Sequence, residues 1–386
     1  MIYVGIDISS EKFDVAFYEP KAKKYTLQTF RQSRKGFKKF ASKLENLHEE
    51  ISIAMESTGI YDNNIYEFLN DLGYEVILFH PYSVKNFLKS YSNSKTDQID
   101  AKNLALALFV LGDNAVVSTK LPKEIQALRK LVRFRSSIVK EQTRLQIQLR
   151  NILKVNMPEI VKFFSQMNSV VLLGLLSKYP SRESILANKK EAVELLSSFK
   201  GWSRKKAKEV VESLEDSIGL TDKLGVHSTM VSTIVTQLKM VKESAEKLEK
   251  EIERINSSFL PKNPISTIPG MGKLTEATIV SEVGEISRFS TKEKFVAFLG
   301  MDPVIKQSGK SYRTSGISKK GNKNLRMVFY NLAVRAIRYI PKYRKKYEEL
   351  KKRKHAKVAL VAIARKMAEL VYVIWKNGVE FDPAMP

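Results

Sequence analysis

The sequence predicts an α/β fold for residues 1–117 and a mostly helical fold for the remainder, and three observations carry that prediction. Short apolar runs of strand length alternate with helical periodicity up to about residue 117. Two long apolar stripes at helical spacing follow, at about 122–157 and 229–259, and their length favours coiled-coil pairing. Glycine turns and basic helices occupy the last part of the chain. We therefore expect three domains, at 1–117, 118–260 and 261–386.

The first region has a definite predicted order of elements. Three strands near 2–8, 13–18 and 25–30 are close enough in sequence to form an antiparallel meander. They are followed by a helix near 36–47, a strand at 51–56, a helix near 61–72, a strand at 74–79 and a helix that starts near residue 97. This order is the RNase H-like layout, which RuvC-type resolvases share.

Four acids occupy the places where such a sheet collects ligands. Asp7 ends the first strand, Glu56 ends the fourth, and Asp97 and Asp100 begin the last helix, where a spacing of three puts both on one face. Four carboxylates in one place repel each other, and two divalent cations would relieve that cost and activate a phosphodiester. With no cysteine and four scattered histidines, the sequence leaves carboxylates as the natural ligands, which suit Mg²⁺ or Mn²⁺.

Each acid also has a structural alternative. Asp97 and Asp100 suit the first turn of a helix, where exposed N–H groups favour negative charge. Glu56 followed by Ser57-Thr58-Gly59 fits a helix cap, and Asp7 fits a turn at a strand end. Asp14 is a further carboxylate near the first strand, and we interpret it as a hairpin or sheet-face residue.

The charge balance predicts a polyanionic partner. The chain has 66 Lys and Arg against 41 Asp and Glu, a formal charge of +25, and nucleic acid is the commonest partner of such a field. The basic residues are spread along many helices, which argues against one membrane-binding segment. No apolar run reaches the roughly 20 residues that span a bilayer, and the chain begins directly with a strand. We expect a cytoplasmic protein with no membrane partner.

A glycine turn opens the last region. Ile268-Pro269-Gly270-Met271-Gly272-Lys273 precedes a helix and is typical of a helix-hairpin-helix motif. Its glycines let the backbone approach a phosphate, and the helix start offers free N–H donors, so Gly270, Gly272 and Lys273 are candidate contacts to a DNA backbone. The alternative is a plain glycine turn.

A serine in a basic, glycine-containing loop is the second chemical candidate. Ser308 precedes Gly309 and is surrounded by cations that we predict to contact nucleic acid, namely Lys306, Lys310, Arg313, Lys319, Lys320 and Arg326. A serine needs a base or a metal to take its proton, so the loop chemistry alone favours a phosphate-binding or plain loop serine over a nucleophile. It also leaves Ser311, Ser315 and Ser318 as nearly equal candidates.

Together these pieces resemble the DEDD transposases of bacterial insertion sequences and the related Piv-type DNA invertases. The matching stretches are Gly5-Ile6-Asp7-Ile8-Ser9, Met55-Glu56-Ser57-Thr58-Gly59, Lys95-Thr96-Asp97-Gln98-Ile99-Asp100-Ala101, Ile268-Pro269-Gly270-Met271-Gly272, Gln307-Ser308-Gly309 and Ile317-Ser318-Lys319-Lys320-Gly321. The resemblance implies a RuvC-like domain whose metal site is Asp7, Glu56, Asp97 and Asp100, and a C-terminal transposase domain whose nucleophile is Ser308. It also implies a guide RNA from the same element that pairs with donor and target DNA, and dimers and tetramers.

The resulting hypothesis is a site-specific recombinase that cuts and rejoins double-stranded DNA through a covalent serine–phosphate intermediate, assisted by a magnesium-bound carboxylate cluster. The two sets of residues are some two hundred positions apart and must converge, so an active site shared between subunits is a reasonable hypothesis. One alternative is a metal-dependent, structure-specific nuclease like a junction resolvase, in which water attacks and Ser308 only binds phosphate. Another is a non-catalytic nucleic-acid-binding protein.

Overall fold

The chain divides into two units. A computed structural model describes residues 1–56, 61–79, 96–112, 117–118, 121–259, 261–308 and 311–384, with the backbone alone at 117–118, 259, 305–308 and 311–315. The units are Met1–Lys120 and Leu121–Pro386. The first is a mixed α/β unit and the second is mostly helical, which confirms the predicted fold class at that level. The coiled-coil assignment, the RuvC-like assignment and the domain boundary at residue 260 stay predictions.

The first unit is built on a six-stranded sheet in the order β3-β2-β1-β4-β5-β6. Its strands are β1 (Ile2–Ile8), β2 (Lys12–Glu19), β3 (Lys24–Arg31), β4 (Ile51–Glu56), β5 (Val76–Phe79) and β6 (Val117–Ser118). The first three form the predicted antiparallel meander. β4 and β5 run parallel to β1, while β6 is a two-residue antiparallel edge that the sequence did not predict.

Helices cover the two faces of this sheet. On one face, α1 (Arg34–Glu45) and α2 (Asp62–Asp71) bury Phe37, Phe40 and Leu44 against the even-numbered residues of β1. On the other, α3 (Asp97–Leu111) packs across β1, β2 and β4. Alternation along β1 therefore directs its odd-numbered residues, from Tyr3 to Asp7, toward α3.

Gly5 allows the close approach of α3 to β1, and Gly5→Ala is expected to destabilise the protein. A Cβ at this position would lie 2.2 Å from the Ala101 carbonyl oxygen and 2.4 Å from the Ala105 nitrogen. The cost should be about 1–3 kcal/mol, because the atoms that must move belong to a helix backbone. The midpoint of denaturant unfolding measures it. Adding Ala105→Gly should not restore stability, and full recovery by that second change would contradict the backbone clash.

The second unit is organised around two long helices, α4 (Lys123–Asn156) and α10 (Val226–Phe259). They pack antiparallel, because Leu128 and Val132 near the start of α4 meet Ile252 and Ile255 near the end of α10. Between them lie α5 (Ile160–Phe163), α6 (Val170–Lys178), α7 (Arg182–Ala187), α8 (Lys189–Ser197) and α9 (Arg204–Glu212). The two long helices therefore pair with each other within one chain.

The rest of the second unit carries the predicted serine. A one-turn 3₁₀ helix (Pro264–Thr267) precedes α11 (Lys273–Val283), a second one (Ile286–Arg288) follows it, and α12 (Lys292–Phe298) leads into a hairpin of β7 (Pro303–Ser308) and β8 (Ser311–Ile317). Helices α13 (Lys323–Tyr339), α14 (Pro341–Lys351) and α15 (Ala356–Asn377) close the core around Phe295, Phe329 and Ile363. Within the described ranges, no helix has the length and apolar character that crossing a membrane requires.

Candidate active site

Strand register brings the first two predicted acids side by side. β1 and β4 are parallel neighbours, with Ile6 opposite Met55, so Asp7 and Glu56 follow at the same end of the sheet. Alternation puts both on the face that α3 covers, since they are two residues beyond Gly5 and Ala54, which approach that helix. The fold therefore brings Asp7 and Glu56 to the same end of the sheet, as the strand order predicts.

The start of α3 contributes the other two acids, and it clarifies the capping alternative. The N-cap is Thr96, whose hydroxyl accepts a hydrogen bond from the Ile99 N–H at 3.3 Å. Asp97 and Asp100 lie in the first turn, where negative charge is favoured, but neither supplies the cap itself. The cap therefore does not account for these two acids, and Asp97 has a side chain that is 53% exposed.

The electrostatics show that the four carboxylates act on one another. The pKa of Asp7 is raised from its usual 3.8 to about 6, first by burial and then by the negative charges of Asp100, Asp97 and Glu56. A hydrogen bond from the Ile8 backbone opposes this only in part. Such a shift marks a site where extra negative charge is costly and where a cation would be stabilised.

This donor set suits a hard divalent cation. Carboxylate oxygens are the ligands that Mg²⁺ and Mn²⁺ take, and a divalent charge would offset the repulsion that raises the pKa of Asp7. In the part of the chain that the structure describes, however, no three His, Asp or Glu side chains are close enough together to hold a metal ion. The cluster is therefore a set of coupled carboxylates rather than a complete coordination shell.

Lys12 and Asp14 adjoin the cluster and were not predicted to do so. Asp14 is opposite Asp7 in the β1–β2 register and is 2% exposed. The Lys12 amine donates to Asp14 at 2.9 Å and lies 3.1 Å from Asp97, while the Thr29 hydroxyl also donates to Asp14. Lys12 thereby ties the strand to the start of α3. Only the alternation of Lys12 and Asp14 on one face of β2 could have indicated this arrangement.

Ser308 is the last residue of β7 and faces Ser311 across the tip of the hairpin. The structure describes only the backbone of these two residues, and it does the same for Lys306, Arg313 and Ser315. Gly309 and Lys310 lie outside the described residues. The predicted serine is thus at the end of β7, paired in register with the first residue of β8.

The base of this hairpin is held by several hydrogen bonds. The Ser318 hydroxyl donates to Asp302 at 2.5 Å, and its N–H donates to the Asp302 carbonyl at 2.9 Å. A Cβ on Gly300 would lie 2.4 Å from the Gly321 nitrogen, so the two backbone segments approach each other closely here. Arg326 donates to the carbonyls of both Leu299 and Gly321. Ser318 and Arg326 therefore both have a structural role, and the contact of Arg326 with nucleic acid stays a prediction. Lys319 and Lys320 are exposed.

Glu282 connects this region to the long helix α4. Its side chain is 0% exposed and accepts two hydrogen bonds from Arg133, at 2.8 and 2.7 Å, and one each from Asn322 and Asn324. Burial raises its pKa, but these donors outweigh burial and hold the pKa of Glu282 below its usual value. Asn322 also caps α13, so one buried carboxylate fixes the start of that helix.

Removal of Arg133 should lower the unfolding free energy, because the buried Glu282 carboxylate would lose its ion pair. Arg133→Met is expected to destabilise the protein by about 3 kcal/mol at neutral pH, because Glu282 loses the guanidinium that donates two hydrogen bonds to its carboxylate. A depressed carboxyl pKa contributes stability above the unfolded pKa, and that contribution disappears in acid. The difference in unfolding free energy between wild type and Arg133→Met should therefore shrink as the pH falls below 4.5, the usual pKa of this carboxyl. In the double variant Arg133→Met/Glu282→Gln, stability should partly recover; a further loss would contradict the argument.

The glycine turn before α11 differs in one respect from the predicted motif, because the element ahead of it is a single 3₁₀ turn. Gly270 has φ +89°, which favours glycine, and Gly272 is the N-cap of α11. Arg335 covers the turn, donating to the Gly270 carbonyl at 3.1 Å and to the Thr275 hydroxyl at 3.0 Å. The amine of Lys273 pairs with Glu253 on α10. A role for this turn in contacting nucleic acid stays a prediction.

Comparison with known proteins assigns the chain to a family. A model described as a transposase of the DEDD type, for IS110 elements, matches residues 4–158, and one for the IS116/IS110/IS902 family of transposases matches residues 262–348. Together they cover more than half of the chain and both regions that hold the candidate residues. The chain belongs to the IS110/IS116/IS902 transposase family.

Two relatives are similar to this chain over most of their length, and a third is similar over a shorter stretch. The transposase of insertion element IS1111A from Coxiella burnetii is 25% identical over 83% of this chain and 77% of its own. An uncharacterized 43.6 kDa protein of element IS110 from Streptomyces coelicolor is 24% identical over 82% of this chain and 79% of its own. The pilin gene-inverting protein of Moraxella bovis is 32% identical over 31% of this chain and 38% of its own. This transposase is thus an enzyme that acts on DNA in transposition and recombination.

Proposed function

We propose that this transposase cuts and rejoins double-stranded DNA through a covalent bond between Ser308 and a backbone phosphate. The observation that carries the proposal is the coupled carboxylate cluster, in which Asp7 has a pKa of about 6 because of burial and three acidic neighbours. A cluster of this kind has oxygen donors of the type that Mg²⁺ or Mn²⁺ takes, and a divalent cation would offset the repulsion that Lys12 alone leaves at Asp7. Ser308, at the end of β7, supplies the second part of the proposal, which is the nucleophile.

In the proposed reaction, the Ser308 oxygen attacks phosphorus and the bond from phosphorus to one deoxyribose oxygen breaks. The serine proton passes to a base, and the departing deoxyribose oxygen is protonated to a hydroxyl. The hydroxyl of a second DNA end then attacks the same phosphorus and displaces the serine oxygen, which takes up a proton. One phosphodiester is consumed and one is formed, so no external energy source is needed.

The metal, when bound, would stabilise negative charge on the phosphate and lower the pKa of a coordinated oxygen. Asp7, Glu56, Asp97 and Asp100 are the residues that would hold it. Lys12 bridges Asp14 and Asp97, and it keeps the start of α3 in place against β2. The proposal further assigns the first unit a RuvC-like fold, since strand order and acid positions agree with that layout.

We also propose that a structured RNA from the same element directs the enzyme, and that it works as a dimer or tetramer. Support for the RNA comes from the net charge of +25, which exceeds what solubility needs. Purification of the protein from cells that carry the element, followed by sequencing of the bound RNA, tests this part. Recovery of only bulk cellular RNA in proportion to its abundance would contradict it.

Trapping of the intermediate tests the serine chemistry. The protein is incubated with labelled DNA that carries the element ends, denatured, and digested with protease and nuclease. Mass spectrometry should then find a nucleotide attached to the peptide that contains Ser308. DNA cleavage without any attached nucleotide would favour the nuclease alternative, in which water is the nucleophile.

A further inference from the structure

A cleft along α1 and the edge strand β3 is strongly basic. It has a volume of about 720 Å³ and is lined by five cations of α1, namely Arg34, Lys35, Lys38, Lys39 and Lys43. Its other polar walls are Gln28, Ser42 and Asn46, and no carboxylate lines it. Among the described residues, these five cations form no ion pair. This is an uncompensated positive groove that the carboxylate cluster does not use.

The pattern along α1 explains why the cations share one groove. Phe37, Phe40 and Leu44 form the buried stripe of the helix, which fixes its rotation against the sheet. Lys35, Lys39 and Ser42, at spacings of three and four, then occupy the side next to β3. The side of α1 toward α2 is different, since Glu67 and Asp71 line the cleft there. Positive charge is thus concentrated on the β3 side.

The groove begins at the same end of the sheet as the acid cluster. β3 ends at Arg31, which is opposite Lys12 in the β2–β3 register, and the Lys12 amine contacts Asp97. α1 starts three residues after β3, capped by Ser33, and runs back along the edge of the sheet. The groove and the acid cluster are on opposite faces of the sheet, so a polyanion in the groove would start at the end of the sheet that carries the cluster and run along the sheet edge.

We propose that this groove binds the phosphate backbone of the duplex DNA substrate. The inference rests on the proposed function in requiring that DNA reaches the carboxylate cluster. Twelve residues of helix span about 18 Å, which matches about five base-pair steps of duplex at a rise of about 3.4 Å each along the DNA axis. The groove has no exposed aromatic side chain, since Phe30 is 6% exposed, so it lacks the stacking platform that single strands use. Lysines alone give contacts that are independent of base sequence.

The test is binding of end-labelled duplex DNA to the full-length protein, measured by fluorescence anisotropy between about 50 and 200 mM salt. The variant Lys35→Gln/Lys38→Gln/Lys39→Gln should bind about 10- to 100-fold more weakly, and its plot of log K against log salt should be shallower by about two to three. The matched control is Lys21→Gln/Lys23→Gln/Lys24→Gln, which removes the same charge from exposed positions outside the groove. It should bind like wild type.

An arginine variant and an RNA ligand distinguish the possible outcomes of this test. Lys35→Arg/Lys38→Arg/Lys39→Arg keeps the charge and should retain wild-type affinity, and a loss there would overturn an electrostatic groove. The proposal would also be overturned if both glutamine triple variants bound duplex DNA equally weakly, or if neither bound it more weakly than wild type. Weakening for a structured RNA hairpin but not for duplex DNA would mean that the occupant is not DNA. If wild type itself shows no salt-dependent DNA binding, the proposed function fails; if only the groove variant is unaffected, the groove alone fails.

Discussion

Ser308→Ala is expected to abolish the covalent protein–DNA adduct and to lower DNA strand transfer by at least about 10³-fold, since removal of a nucleophile eliminates the covalent route. Substrate binding should stay within a few-fold of wild type, because the hydroxyl is a minor part of a largely electrostatic interface. The adduct is measured as labelled DNA that remains with denatured protein on a gel. Strand transfer is measured as joined product.

The neighbouring serines serve as matched controls for that result. Ser318→Ala removes a hydroxyl that already donates to Asp302, so the adduct should still form, while the protein should unfold at a lower temperature. Ser311 lies opposite Ser308 at the hairpin tip, and Ser311→Ala should also leave the adduct intact. Loss of the adduct in Ser311→Ala with retention in Ser308→Ala would show that the nucleophile is misassigned.

Asp7→Asn is expected to have opposite effects on activity and on stability. Activity should fall on the order of 10³-fold, because the central carboxylate of the proposed metal site is lost. In buffer with a chelator at pH 8, the unfolding free energy should rise by about 1–3 kcal/mol, because the variant removes a charge that burial and three acidic neighbours disfavour. Loss of activity together with unchanged or lower stability would contradict the repulsive cluster.

The pH dependence of that gain follows from the direction of the shift. The pKa of Asp7 is about 6 in the folded protein against 3.8 when unfolded, so the folded state holds its proton more tightly. The carboxylate therefore destabilises the fold above about pH 6, and this penalty disappears as the pH falls toward 4. The stability difference between Asp7→Asn and wild type should follow the same course. Glu19→Gln, an exposed acid at the far end of β2, should change neither quantity.

The sequence predicted the local features of the first unit well because those features are local. Strand lengths, helical stripes and the acids at strand ends follow from the side chains of consecutive residues, and the antiparallel meander follows from short connections. Asp7 and Glu56 were paired correctly for the same reason, since the ends of parallel strands share one edge of the sheet. The long helices α4 and α10 were placed within three residues of their observed bounds.

The missed features depend on contacts between distant parts of the chain. Lys12 meets Asp97 across 85 positions only because β2 and the start of α3 are neighbours in the fold. Glu282 is an unremarkable helical acid in sequence, yet it is enclosed by Arg133, Asn322 and Asn324. Burial of this kind is set by packing and leaves no periodic signal.

By itself, the sequence determined which residues can do chemistry: four acids, a serine in a basic loop, and an excess of positive charge. The tertiary structure decided which of them act together. It assigned the helix cap to Thr96, tied Ser318 to Asp302, and concentrated five cations of α1 in one groove. The physical reason is that charge interactions depend on distance and burial, which only the folded chain specifies.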